Sequence, residues 1–209
     1  MQAATVTYRP LTAANWADLE SLFGPRGACG GCWCMAWRLP RAAFNRGKGE
    51  ANRSALHALA EQGAGQGREP GILLYRDGVP VGWCSVAPRE EFVTLARSRV
   101  WAPVDDAPVW SVSCFFVAKG HRNQGLSVEL LKAAIEFARG KGARVLEGYP
   151  QELDEPLPAS FIWTGLAAAY RKAGFREVLR RSEKKPIMRY EMRGGADLPV
   201  RAGPPSPAD

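Results

Sequence analysis

The stretch from Val109 to Lys141 constrains the fold of this 209-residue chain more than any other. It begins with the continuous apolar run VWSVSCFFV, which is typical of a strand buried on both faces. It ends with VELLKAAIEFARGK, where apolar residues recur at steps of three or four, as they do on one face of a helix. The sequence therefore predicts a strand and a helix in direct succession, joined by the turn AKGHRNQGLS.

The predicted helix begins at residues that can hold an anion. Backbone N–H groups in the first turn of a helix have no carbonyl partner, and they lie at the positive end of the helix dipole. Gly125 would let a phosphate approach the backbone without meeting a Cβ atom, and Arg122 adds a charged fork. The turn is neither a Walker loop nor the dinucleotide pattern G-x-G-x-x-G, because it offers only Gly120 and Gly125 and no G-K-[ST]. We expect a pyrophosphate to bind here.

This turn resembles the coenzyme A signature of the GNAT superfamily of N-acetyltransferases. The signature reads [QR]-x-x-G-x-[GA] after a strand that ends in Val, and here Val117 is followed by RNQGLS at 122–127. A second block, LAAAYRKAGF at 166–175, is similar to the late helix of that family, in which a Tyr is followed by Lys or Arg and then by Gly-Phe. The resemblance extends from Thr5 to Met192.

The resemblance implies a fold of the α/β (α+β) class. In the GNAT fold a mixed, mostly antiparallel sheet carries helices on both faces, and two central parallel strands splay apart. Here these would be strands 109–117 and 144–149, with the pantetheine arm of coenzyme A in the gap and its amides bound by the backbone of Phe115 and Val117. The implied cofactor site consists of Phe115, Val117, Arg122, Asn123, Gln124, Gly125, Leu126 and Ser127.

The resemblance also implies the reaction, in which the acetyl group of acetyl-CoA passes to a primary amine by direct attack in a ternary complex. The amine must be neutral when it attacks, and the leaving thiolate needs a proton. Tyr170 matches the general acid of the family. The strand before the turn holds no acid, so the general base is open between Glu90, Glu91 and Glu147, and we favour Glu91.

Patterns elsewhere predict the remaining elements. These are a strand at 5–8, a helix capped by Thr12 that ends at Phe23, a second helix at 40–62 weakened by Gly47 and Gly49, a hairpin at 72–86, a helix around Tyr170 and a hairpin at 176–193. We expect one acetyltransferase domain over residues 1–193. The tail at 194–209 is rich in Gly and Pro, which is typical of disorder.

Other interpretations of these residues stay open. A non-catalytic acyl-CoA-binding sensor would keep the turn without an acceptor site, and Tyr170 could simply be a core residue. The segment CGGCWCMAWR at 29–38 holds three cysteines, but a zinc site needs four ligands, and no nearby CxxC or His completes the set. We therefore expect no metal, and we interpret these cysteines as packing residues beside Trp33 and Trp37 at the acceptor rim.

The acceptor is expected to be a small-molecule or peptide amine that carries a positive charge. Acidic residues occur in loops that should rim the acceptor side; they are Glu90, Glu91, Asp105, Asp106, Glu152, Asp154 and Glu155. Several tryptophans could add cation–π contacts. The alternative is that these loops are simply solvated.

Composition limits the surroundings in which the protein acts. The chain has five cysteines, no long apolar run and no basic leader, which predicts reduced thiols, a cytoplasmic location and no membrane partner. The net charge is +7, but much of the excess lies in residues 176–193, which favours a solvated face over nucleic-acid binding. A homodimer is compatible with the sequence.

Overall fold

One mixed sheet runs through the computed structural model, which describes residues 4–153 and 162–192. Within those residues its strand order is β1-β2-β3-β4-β5-β7-β6. The strands are β1 (Val6–Pro10), β2 (Gly71–Arg76), β3 (Val79–Pro88), β4 (Trp110–Val117), β5 (Val145–Gly148), β6 (Arg176–Arg180) and β7 (Pro186–Glu191). Every neighbouring pair is antiparallel except β4 and β5, which are parallel.

Helices cover both faces of this sheet. They are α1 (Trp16–Phe23), α2 (Arg41–Arg46), α3 (Glu50–Gly63), α4 (Leu126–Gly140) and α5 (Ala167–Lys172). Successive residues of β2 face opposite sides, so Ile72 and Leu74 pack in one core with α4 and α5, whereas Leu73 packs in another with α1 and α3. The predicted fold class is confirmed.

Helix α4 follows the pattern of its sequence. The residues on the predicted apolar face are all buried; they are Leu126, Leu130, Ala134, Phe137 and Ala138. At the far end Gly142 takes φ +82°, and the N–H of Ala143 donates to the carbonyl of Ala138 at 3.0 Å. This left-handed closure satisfies carbonyls that the last turn of a helix leaves free.

The predicted helix at 40–62 is two helices in the structure. Helix α2 ends at Arg46 and α3 begins at Glu50, with Gly49 between them at φ +94°. Thr12 likewise precedes a short 3-10 turn, Ala13–Asn15, and α1 itself begins only at Trp16. The predicted tail at 194–209 lies outside the described residues.

The parallel strands β4 and β5 remain paired only briefly. Trp110, Ser111 and Val112 lie opposite Leu146, Glu147 and Gly148, and β4 then continues to Val117 without a partner on that side from β5. The predicted splay is thus present. Separately, no helix within the described ranges combines the length and the apolar composition needed to cross a membrane.

Leu130 offers a test of the core beneath α4. Its side chain is completely buried, so Leu130→Ala should lower the free energy of unfolding by about 2–5 kcal/mol, through lost burial and the cavity that remains. Val79→Ala serves as the control, because Val79 is 56% exposed and its truncation should change stability by less than about 0.5 kcal/mol. Urea denaturation measures both, and equal effects would contradict the packing described.

Candidate active site

A cavity of about 730 Å³ lies beyond the point where β4 and β5 part. The end of β4, the turn before α4 and the start of α5 form its walls. Seven of the eight predicted cofactor residues line it; these are Phe115, Val117, Arg122, Asn123, Gly125, Leu126 and Ser127. The fold therefore brings together most of what the sequence singled out.

The turn presents its backbone to this cavity. Asn123 and Gly125 both have left-handed backbones, with φ of +59° and +78°. A Cβ atom added at Gly125 would meet nothing within 4 Å, so the space above this residue is open. The carbonyl of Gly125 accepts from Val128 at 2.9 Å, and the N–H groups of Leu126 and Ser127 precede that first helical bond. The turn therefore has the geometry of an anion site.

Gln124 differs from the other residues of the turn. Its amide oxygen accepts a hydrogen bond from Arg76, and its amide nitrogen donates to the carbonyl of Gly120 at 3.1 Å. The side chain therefore holds the turn against β2 and does not line the cavity. Of the eight predicted cofactor residues, Gln124 is the one that the structure places outside the cavity wall.

The charge on the cavity wall is positive. His121, Arg122 and Lys172 line it, and none of the described residues on its wall is acidic. The buried Nδ1 of His121 has no hydrogen-bond partner among the described residues. The sequence analysis missed Lys172 as a site residue, although it lies only two positions after Tyr170 on α5. Two cationic side chains, Arg122 and Lys172, lie with the imidazole of His121 beside the N–H groups at the start of α4, and this arrangement suits a pyrophosphate.

The backbone of β4 beyond the parting already has partners. The N–H of Phe115 donates to the carbonyl of Trp163 at 2.7 Å, and the carbonyl of Val117 accepts from Arg122 Nε at 3.0 Å. These are the groups that the family resemblance gives to pantetheine. Binding in that manner would require both partners to be exchanged.

Tyr170 lies under the cavity in the core. Its side chain is completely buried, and its hydroxyl donates to the carbonyl of Thr164 at 3.2 Å. The ring meets Phe115 and Phe175 edge-on, with centroids 5.9 Å and 4.9 Å away. Burial raises the pKa of Tyr170 well above its ordinary value, so the phenol keeps its proton far into the alkaline range.

A second cavity, of about 560 Å³, adjoins the first. The two share Phe115, Phe116 and Arg122. Its wall also holds Cys29, Cys32, Cys34 and Cys114, and the sulfurs of Cys34 and Cys114 lie 3.1 Å apart. No group of three potential metal-ligating side chains occurs in the part of the chain that the structure describes.

Comparison with known proteins identifies the family. Residues 33–155 match the sequence model of the Acetyltransferase (GNAT) family, which is more than half of the chain. The chain belongs to this family. It is therefore an acyltransferase with the GNAT fold, as the sequence predicted. A search of curated proteins gave no match.

Solved GNAT structures share this fold at low sequence identity. A GNAT acetyltransferase from Streptococcus agalactiae 2603 is 12% identical, with 90% of this chain and 96% of that chain covered and a TM-score of 0.54. The PaiA N-acetyltransferase from Thermoplasma acidophilum, in complex with coenzyme A, is 12% identical over 90% and 99% of the two chains, with a TM-score of 0.51. A GNAT acetyltransferase from Streptococcus pneumoniae is 13% identical over 90% and 99%, also with a TM-score of 0.51.

The carboxylates that could act as a base in this GNAT protein lie elsewhere. Glu91 forms an ion pair with the buried Arg38 at 2.5 Å, and it lines a separate cavity with Leu59. Glu147 is completely buried, and it accepts hydrogen bonds from Arg89, Arg189 and Tyr149 at 3.0, 2.8 and 2.7 Å.

The favoured base, Glu91, is thus placed away from the cofactor cavity. Its position follows from a 3-10 turn, Arg89–Glu91, which leaves β3 toward Arg38. Glu90 is exposed in the same turn. Neither of the two cavities that meet at Phe115 has a carboxylate among the described residues on its wall, so the structure does not bring Glu91 together with the predicted cofactor residues.

Gly148 tests the packing around Tyr170. A Cβ atom at Gly148 would stand 2.1 Å from Tyr170 Cε1, so Gly148→Ala should displace the ring and lower the unfolding free energy by about 1–3 kcal/mol or more. Gly140→Ala is the matched control, because its added Cβ meets nothing within 4 Å and should stabilise α4 by about 0.5–1 kcal/mol. Chemical denaturation should give effects of opposite sign, and a neutral Gly148→Ala would contradict the contact.

Proposed function

We propose that this protein is an acetyl-CoA-dependent N-acetyltransferase that acts on a primary amine by direct attack in a ternary complex. The observation that carries the proposal is the meeting of two cavities at Phe115, Phe116 and Arg122. One cavity has a cationic, amide-rich wall for a cofactor. The other opens onto the same stretch of β4 and leaves room for an acceptor, so both substrates can be present together.

Acetyl-CoA is the acyl donor in this proposal. Its pyrophosphate would bind the N–H groups at the start of α4 with Arg122 and Lys172, and its pantetheine arm would follow β4 toward the parting of the strands. The structurally similar PaiA enzyme, solved with coenzyme A, supports the choice of cofactor. Phe115 N–H and Val117 C=O would exchange Trp163 and Arg122 for the amides of the arm.

Tyr170 is the proposed proton donor to the departing thiolate. The raised pKa of Tyr170 means that its phenol is protonated at neutral pH and has a proton to donate. Its ring touches both Phe115 on β4 and the backbone at Gly148 on β5, so it lies where the two strands part. The hydroxyl would leave the Thr164 carbonyl when the cofactor sulfur is present.

Thermal unfolding tests cofactor binding. A ligand that binds only the folded state raises the unfolding free energy by about 2.7 kcal/mol at a hundred times its Kd. Saturating acetyl-CoA should therefore raise the Tm, and Arg122→Glu should abolish the shift by placing an anion against the pyrophosphate. Lys132→Glu makes the same charge change on an exposed part of α4 and should keep the shift. A wild-type protein without any shift would refute the proposal.

Tyr170→Phe tests the chemical step. The variant keeps the ring but removes the proton donor, so turnover should fall roughly a hundredfold while the thermal shift with acetyl-CoA persists. The lost hydrogen bond to Thr164 should cost only about 1 kcal/mol of stability. Tyr190→Phe, which removes a partly buried hydroxyl beside Phe175, is the control and should keep the wild-type rate. Equal turnover numbers in the two variants, with chemistry rate-limiting, would make Tyr170 a core residue only.

A further inference from the structure

We propose that the acceptor is a primary arylamine, in which the amine nitrogen is bonded directly to an aromatic ring, and that it binds in the 560 Å³ cavity beside β4. This inference rests on the function proposed above, because it names the substrate class of the same enzyme. It replaces the cationic acceptor that the acidic loops suggested. Three features of the cavity support it: its aromatic wall, its charge, and the absence of a carboxylate among the described residues that line it.

The wall of the cavity suits a flat, apolar ring. Five aromatic side chains line it; they are Trp37, Phe44, Phe115, Phe116 and Trp163. The ring centroids of Trp37 and Trp163 are 5.4 Å apart, and the angle between the ring planes is 41°. Offset or edge-on contacts with such rings would stabilise a bound aromatic ligand. The cysteines between them are soft and apolar, and sulfur makes favourable contacts with ring edges. The three cysteines of the segment 29–38 therefore form part of the cavity wall.

The charge of the cavity disfavours an ammonium ion. Among the described residues that line it, Arg122 is the one charged side chain, and its sign is positive. Three of the seven carboxylates expected at the acceptor rim form ion pairs with arginines. Glu91 pairs with Arg38, Asp105 with Arg189 at 2.7 Å, and Glu152 with Arg171 and Arg180 at 2.6 Å.

The ion pairs lower the pKa values of the carboxylates Glu152 and Asp105. Hydrogen bonds from Arg171 and then Arg180 lower the pKa of Glu152 to about 2, and a hydrogen bond from Arg189 lowers the pKa of Asp105. Asp154 and Glu155, also expected at the rim, lie outside the described residues. A cationic acceptor would therefore be desolvated beside Arg122 without a compensating anion on the described wall.

No carboxylate occurs among the described residues of the two cavity walls, and this also favours an aromatic amine. An alkyl ammonium with a pKa near about 10.4 is neutral in only about one molecule in a thousand at neutral pH, so its attack needs a base. An aromatic amine is neutral there, because its lone pair is delocalised into the ring and is weakly basic. Its nitrogen can therefore attack directly, and the nitrogen proton can leave to water once the N–C bond has formed.

The atoms of this reaction balance without a further reactant. The amine nitrogen forms a bond to the thioester carbonyl carbon, and the carbon–sulfur bond breaks. The thiolate takes one proton, from Tyr170 in the proposed mechanism, and the nitrogen loses one to solvent, which then restores Tyr170. The products are an N-aryl acetamide and free coenzyme A.

Trp37 adds a polar feature to this wall. It is 6% exposed, and its indole nitrogen has no hydrogen-bond partner among the described residues. Since an indole N–H can only donate, it would suit an acceptor such as a carbonyl, hydroxyl or ether oxygen on the ring of the amine. We therefore expect ring-substituted arylamines of this kind to bind better than the bare ring.

Matched amines test the substrate class. Acetylation of 4-methoxyaniline, 4-methoxybenzylamine and spermidine by the full chain, with saturating acetyl-CoA, is followed by mass spectrometry of the products. We expect kcat/KM for the aniline to exceed that of the benzylamine by about a hundredfold at neutral pH, and to stay flat between about pH 6.5 and 8.5. Acetylation of the benzylamine should rise about tenfold per pH unit.

Variants in the wall locate the binding site. Phe44→Ala should raise KM for the aniline about tenfold, since it removes one face of the cavity. Leu59→Ala is the control, because Leu59 packs partly buried against the same core as Phe44 but lines a different cavity, and it should keep the wild-type KM. An unchanged KM in Phe44→Ala would overturn the assignment of this cavity.

The outcomes separate the two proposals. Preferred turnover of spermidine or the benzylamine, together with the thermal shift by acetyl-CoA, would overturn the aromatic acceptor and leave the N-acetyltransferase proposal standing. A thermal shift without turnover of any of the three amines would also overturn the aromatic acceptor, and would favour a non-catalytic acyl-CoA-binding protein. If acetyl-CoA gives neither a shift nor turnover, both proposals fail.

Discussion

The early parting of β4 from β5 is the constraint on which the site depends. After three residue pairs, the backbone groups on that side of β4 lose the strand partner that a regular sheet would supply. Buried backbone N–H and C=O groups must nevertheless be satisfied. Trp163 and Arg122 do this for Phe115 and Val117, and in doing so they bring the cavity wall and the anion turn against the same strand.

Basic and acidic side chains are distributed differently around β4. Arg122 near the start of α4 and Lys172 on α5 line the 730 Å³ cavity, whereas Glu147 and Asp105 form ion pairs with Arg189 and do not line it. Glu147 is the clearest case, since its buried carboxylate is held between Arg89 and Arg189 on neighbouring elements. Removing one member of such a buried group would leave charges unpaired, which proteins tolerate poorly. Glu147, Glu91 and Asp105 are thus held in ion pairs, and Arg122 is the one charged side chain among the described residues that line the 560 Å³ cavity.

Local patterns explain why much of the site could be predicted from the sequence. The strand, turn and helix at 109–141 are adjacent in sequence, so their geometry follows from hydrophobic periodicity and glycine placement. They supply ten residues that line the cavity, and seven of these were predicted as cofactor residues. The hydrogen bond between Gln124 and Arg76 of β2 joins residues 48 positions apart, so only the fold shows it.

Long-range pairing explains what could not be predicted. Glu91 meets Arg38 across 53 positions, and Asp105 meets Arg189 across 84, so the sequence could not show that these acids were already occupied. Cys114 joins the N-terminal cysteines only through the sheet, 80 positions from Cys34. The hydrogen bond from the Phe115 N–H to the carbonyl of Trp163 could not be predicted either, because no sequence periodicity links a loop carbonyl to a particular strand N–H.

The short β4–β5 ladder also divides the sheet mechanically. On one side β1 to β4 pair antiparallel in chain order, and on the other β5 pairs with β7 and β7 with β6. Three residue pairs, the packing of α4 and α5, and the ion pair between Arg89 and Glu147 hold these two units side by side. A molecule that bound where β4 and β5 part would contact both units at once, and its binding free energy would then help to hold the two parts of the sheet together.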